Sequence, residues 1–136
     1  MRSAFTVRVM RDLGAMAIGY AVIALLTSAG FNGFLGGRPL YGGSPFDLAA
    51  GMMVAILSGL AGGCVAGFIG AERGTINAAF VLVPLMGDTI YVLFFFKKST
   101  APFWFDAMAS ATLMLCTVLG GILRERIASS RKTITV

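Results

Sequence analysis

The chain has 136 residues, of which 57% are hydrophobic and only 12% charged, with a mean hydropathy of +0.87. A soluble domain carries about 25% charged residues, so this composition excludes one and leaves an integral membrane protein, read as a single transmembrane domain over residues 1–136. The absence of histidine excludes imidazole-ligated haem, copper or zinc and any histidine-based hydrolase within this chain. The net charge of +5 does not imply nucleic acid, because the basic residues flank apolar runs and read as membrane anchors.

The fold class expected is all-α, a bundle of four transmembrane helices over 13–31, 48–69, 76–96 and 103–123. Each run reaches the roughly 20 residues needed to cross about 30 Å of hydrocarbon. Arg2, Arg8 and Arg11 precede the first run and resemble the charged start of a signal peptide. The apolar stretch behind them is longer than the usual 7–15 or so residues of a signal core, so it reads as a retained helix. Residues 32–47 follow with Gly33, Gly36, Gly37, Gly42 and Gly43 and read as an irregular outer loop. Ser44-Pro45-Phe46-Asp47 then has a capping serine, a proline at the first helical position and an acid two residues on.

The second run carries the strongest packing pattern. Gly51, Ala55, Gly59, Gly63 and Gly67 recur every four residues, with Ser58, Gly62, Ala66 and Gly70 beside them. Small side chains at that spacing let another backbone approach closely, which lipid cannot match in van der Waals contact. Packing within the bundle explains the row most simply, and contact with another chain is the alternative. Ala17, Ala21, Ala24 and Ser28 on the first helix are the partner the sequence suggests.

In the third run Asn77, Pro84, Asp88 and Tyr91 fall on one helical face, and Asp88 stands 13th of 21 residues. A charged carboxylate at that depth costs on the order of 2.5–3.5 kcal/mol on insertion scales, so it is expected to be protonated, hydrated or paired. Thr27, Ser28, Ser110 and Thr112 are the hydroxyl partners at hand. Pro84 lacks an N–H and releases the carbonyl of Phe80, adding an acceptor on the same turn. Three roles fit Asp88: a hydrogen bond inside the bundle, a pair with a group on another subunit, or a site for a translocated proton or cation.

The fourth run opens at Pro102 with Asp106 near the positive end of the helix dipole, so Asp47 and Asp106 read as helix-starting carboxylates. Cys64 and Cys116 read as small apolar core residues. Ten of fifteen aromatic residues gather towards the outer face, densest at Phe94, Phe95, Phe96, Phe103, Trp104 and Phe105. An interfacial belt explains them. Because belts normally form on both faces, a docking edge for a larger subunit, lipid, quinone tail or pigment is the other reading. Phe46-Asp47 with Gly62-Gly63, and Phe105-Asp106 with Gly120-Gly121, are the pattern two duplicated hairpins would leave.

Connections 70–75 and 97–102 are short, so neighbouring helices are expected to pair as two antiparallel hairpins. Eight basic residues lie on one side, in the N-tail, the second loop and the C-tail, against Arg38, Lys97 and Lys98 on the other. The positive-inside rule puts both termini in the cytoplasm. The stretch Gly62 to Ile69, with Pro102-Phe103-Trp104 and Leu119 to Arg124, resembles an uncharacterised type of small four-helix bacterial membrane protein. That resemblance implies the architecture and a bacterial inner membrane, and it brings no activity or site residue. Small multidrug transporters need a glutamate in the first helix, and fluoride channels need Asn-rich and Thr/Ser-Phe pore motifs. The chain has neither.

No nucleophile–base set is present, so no enzyme is expected. The reading is a non-catalytic accessory subunit of a larger respiratory, photosynthetic or transport assembly, with the bilayer and other membrane subunits as partners. No cofactor of its own is expected beyond contact at the aromatic edge. The alternative is a small homo-oligomeric transporter or channel using the polar face around Asp88.

Overall fold

The computed structural model of the chain describes residues 2–38, 41, 43–70, 73–95 and 102–134. Four helices follow in order: α1 (Arg2–Gly33), α2 (Pro45–Ile69), α3 (Gly74–Phe94) and α4 (Phe103–Ile134). All four are long and apolar enough to cross a membrane, and the described residues contain no strand. The fold is an all-helical membrane bundle.

Two helices outrun their apolar cores. α1 begins at Arg2 rather than at 13, and α4 continues past 123 to Ile134. Neither added segment contains glycine or proline, so a helix nucleated in the apolar run propagates outward at little cost. A helix of 32 residues is about 48 Å long, well beyond the hydrocarbon thickness. The surplus at both chain ends carries basic residues.

The start of α2 is built locally. Ser44 Oγ accepts from the Asp47 amide at 3.2 Å, while the Asp47 carboxylate accepts from the Ser44 amide at 3.1 Å, with Pro45 inside the first turn. α3 has no such device, since Arg73 offers no side-chain cap. Its free amides are served from across the bundle instead. Glu125 of α4 accepts from the Thr75 amide at 3.1 Å and from the Thr75 hydroxyl at 2.5 Å, and it brings negative charge to the positive end of the α3 dipole.

Packing is set by backbone approach. A Cβ added at Gly62 would meet Ile23 and the Gly19 carbonyl, and one at Gly30 would meet Val54. α1 and α2 therefore run in opposite directions. Gly59 lies against the Leu113 carbonyl, Gly63 against the Thr117 carbonyl and Gly67 against Arg124, so α2 and α4 run the same way. The two glycine pairs reciprocate. Gly63 covers the carbonyl of Thr117, three residues before Gly120, and Gly120 covers the carbonyl of Leu60, three before Gly63. The two hairpins repeat one contact as well: Gly62 meets Gly19 and Ile23 on α1, and Gly121 meets Gly74 and Ala78 on α3.

One partner suggested by sequence is corrected. Ala17, Ala21, Ala24 and Ser28 all face outward, and the row of α1 that meets the bundle is Ala15, Gly19 and Ile23. Gly19 lets the α1 backbone reach α2, and Ile23 buries more apolar surface than an alanine can offer. Ile23 joins Ala66, Val81 and Leu85 in the core, with Tyr20, Leu82, Leu113 and Met114 packed around them. Among the described residues α1 and α4 do not meet. The gap between the second half of α1 and the first half of α4 is a cleft of about 150 Å³, floored by Gly51 and Ala55 and walled by Thr27, Phe31, Phe105 and Ser110.

Candidate functional site

α3 is buried along its first half through Gly74, Asn77, Ala78, Val81 and Leu85. Beyond Leu85 it turns its surface outward, and Gly87, Asp88, Ile90, Tyr91 and Val92 are all exposed. The polar row therefore changes character along its length. Asn77 is 2% exposed; its Nδ2 donates to the Arg73 carbonyl at 3.1 Å, and its Oδ1 has no partner among the described residues. Pro84 is half-buried and Tyr91 exposed. Asn77 belongs to the interior near Gly70, while Asp88 and Tyr91 belong to the lateral surface.

Asp88 has a partner that sequence reasoning misses. Tyr20 of α1 donates its phenol O–H to Asp88 Oδ2. Among the described residues none of the serines and threonines that the sequence offered, Thr27, Ser28, Ser110 and Thr112, is the donor to Asp88. Thr112 donates to the Met108 carbonyl at 2.9 Å, Ser28 accepts from Asn32 at 3.4 Å, and Thr27 Oγ1 is buried with no partner among the described residues. The available signal is Tyr20 itself, which lies inside the first apolar run and is long enough to bridge a depth difference that serine cannot. Asp88 lies six residues before the α3 terminus at Phe94, about 9 Å inside that end. Among the described residues the site is thus a carboxylate held by one neutral donor on the side of the bundle.

The small-residue row on α2 lies within the chain's own packing. Gly51, Gly59, Gly63 and Gly67 are buried and Ala55 half-buried. Cys64 Sγ adds a contact of 3.2 Å to the Gly120 carbonyl, and Cys116 is a buried free thiol. At the end of the bundle where α3 closes and α4 opens, Phe94, Phe95, Phe103 and Trp104 are exposed and Phe105 half-buried, while Phe96 lies outside the described residues. Edge-on ring contacts join the end of α3 to the start of α4 through Phe94 and Phe103, at 6.2 Å between centroids, and Tyr41, between α1 and α2, to Phe105 of α4, at 5.8 Å. At the other end the Arg124 guanidinium lies 4.7 Å over the Phe68 ring. Among the described residues no three His, Cys, Asp or Glu side chains gather as metal ligands.

Comparison with protein-family models, with curated proteins and with solved structures finds no match to this chain. The class is defined by the fold itself: a bundle of four helices, each long and apolar enough to cross a membrane, with a Tyr–Asp pair on its lateral face.

Proposed function

We propose that this protein is a non-catalytic accessory subunit of a larger membrane complex, of respiratory, photosynthetic or transport type, in a bacterial cytoplasmic membrane with both termini in the cytoplasm. One observation carries the reading: the Asp88 carboxyl lies on the outside of the bundle, within a helix long and apolar enough to cross a membrane, with the Tyr20 phenol as its donor. Lipid offers such a group neither donors nor charge, so its natural neighbour is another protein. The exposed aromatic edge at Phe94, Phe95, Phe103 and Trp104 supplies a second apolar surface that a larger subunit can cover. The orientation rests on the basic surplus at the chain ends, and the bacterial setting on the resemblance carried by the glycine and proline positions.

Extraction of the native membranes in mild detergent, followed by mass spectrometry of the purified material, tests this. Co-purification of other membrane subunits in fixed ratio is the expected result. Recovery only as a lone monomer or homodimer removes the reading. Proton or cation flux in reconstituted vesicles that disappears in Asp88→Asn would put the small homo-oligomeric transporter in its place.

A further inference from the structure

We propose that the outward face of α1 and α3 around Tyr20 and Asp88 docks a transmembrane helix of another protein that carries a lysine or arginine at the depth of Asp88. This rests on the subunit reading above and adds to it the surface and the chemistry of the partner.

Charge decides what the occupant must bring. An ionised carboxylate offers about four acceptor positions, and the described structure fills one of them from Tyr20. Every Lys and Arg of the chain falls outside the four apolar runs. On α1 the basic residue nearest to Tyr20 is Arg11, nine residues or about 13 Å along the helix. A second copy of this chain has the same layout and so supplies no cation at the level of Asp88. The complement comes from a different polypeptide.

Shape decides how that helix approaches. Ala17, Ala21, Ala24 and Ser28 form an outward ridge of small residues at four-, three- and four-residue spacing. Tyr20 stands three residues after Ala17 and four before Ala24, so it borders the ridge on the side of α3. On α3, Gly87 precedes Asp88, and a Cβ built there would meet nothing within 4 Å. A helix seated on the alanine ridge comes close to the α1 backbone and carries its cation past the open Gly87 to the carboxylate. The Tyr20 hydroxyl holds Asp88 towards α1, where that helix lies.

The test uses the full chain in phosphatidylcholine vesicles with a labelled synthetic Leu/Ala helix of about 21 residues, bearing one lysine a third of the way from one end. A glutamine version is the control, and energy transfer reports association. The lysine helix is expected to associate at least about tenfold more strongly than the glutamine helix, the scale of a strong interhelical polar contact. Asp88→Asn should erase that preference, Ala21→Leu should weaken lysine-helix association severalfold, and Phe103→Ala at the aromatic edge should leave it unchanged. Equal association of the two helices, a preference that survives Asp88→Asn, or indifference to Ala21→Leu overturns the proposal. Energy transfer between two copies of the chain that excludes the lysine helix overturns it as well. If native subunits still co-purify with Asp88→Asn protein, this inference fails while the subunit reading stands.

Discussion

Asp88 and Tyr20 illustrate how a lone carboxylate is accommodated in an apolar helix of membrane-spanning length. The phenol is an apolar body with a polar tip, so it packs among core residues while giving Asp88 a donor. Tyr20→Phe removes that donor and keeps the ring. It should lower the stability of the isolated chain by about 1 kcal/mol, within the range measured for interhelical hydrogen bonds in membranes, read by unfolding in mixed detergent. Asp88→Leu should leave the isolated chain within about 1 kcal/mol of the parent, because the residue is exposed and leucine is the better lipid-facing side chain. The same substitution should remove the partner from the complex, since losing one member of a buried charged pair costs roughly 3–5 kcal/mol. Complex loss without loss of the fold is the outcome that marks a docking residue.

At the scale of elements, glycine has opposite meanings at different positions. Gly63 lies directly over the Thr117 carbonyl, and a Cβ there must push α2 and α4 apart, whereas Gly87 has open space around it. Gly63→Ala should destabilise by about 1–3 kcal/mol, as overpacking does. Gly87→Ala should be neutral or stabilise α3 by up to about 1 kcal/mol. A Gly63→Ala protein as stable as the parent would show that the α2–α4 contact is looser than these contacts imply. The start of α3 offers a second case. Its cap is the Glu125 carboxylate of α4, so Glu125→Ala should speed hydrogen exchange at the Thr75 amide and leave the start of α2, which has its own serine and aspartate, unchanged.

Across the whole molecule, α2 sits between α1 and α4, and α3 touches all three others. If the two hairpins were related by strict two-fold symmetry, the α2–α3 contact would have a counterpart between α1 and α4. Among the described residues that counterpart is missing, and the cleft beside Thr27, Phe31, Phe105 and Ser110 lies in its place. The contact registers also put the start of α1 and the end of α4 at the same end of the bundle, beside the close of α2. With the basic surplus gathered there, impermeant thiol labelling in intact cells should find cysteines placed near Arg38 and near Arg126 on opposite sides, with the Arg126 side cytoplasmic. Labelling of both from one side would overturn the orientation. Cys64 and Cys116 do not interfere, as both lie within the helices and neither is exposed.

Composition and period alone determine that this chain makes four long apolar helices, because each run is uncharged or nearly so for the thickness of a bilayer. The α2 start is equally local: serine, proline and aspartate within four residues satisfy their own amides. Asp88 is legible as an anomaly for the same reason, since a carboxylate in an apolar run needs no neighbour to be noticed. What it bonds to is not legible. Pairing Tyr20 with Asp88 depends on the relative depth and rotation of α1 and α3, 68 residues apart, and no spacing rule within one helix carries that information. The choice between two rows on α1, Ala17-Ala21-Ala24-Ser28 and Ala15-Gly19-Ile23, is of the same kind. Both have helical spacing, and the outcome follows from how Gly19 and Ile23 fit against Gly62 and Val81. The cap on α3 comes from a residue 50 positions away. Local pattern sets the elements because backbone hydrogen bonds are satisfied within each helix in lipid; which faces meet, and which carboxylate is left on the outside, is decided by three-dimensional fit.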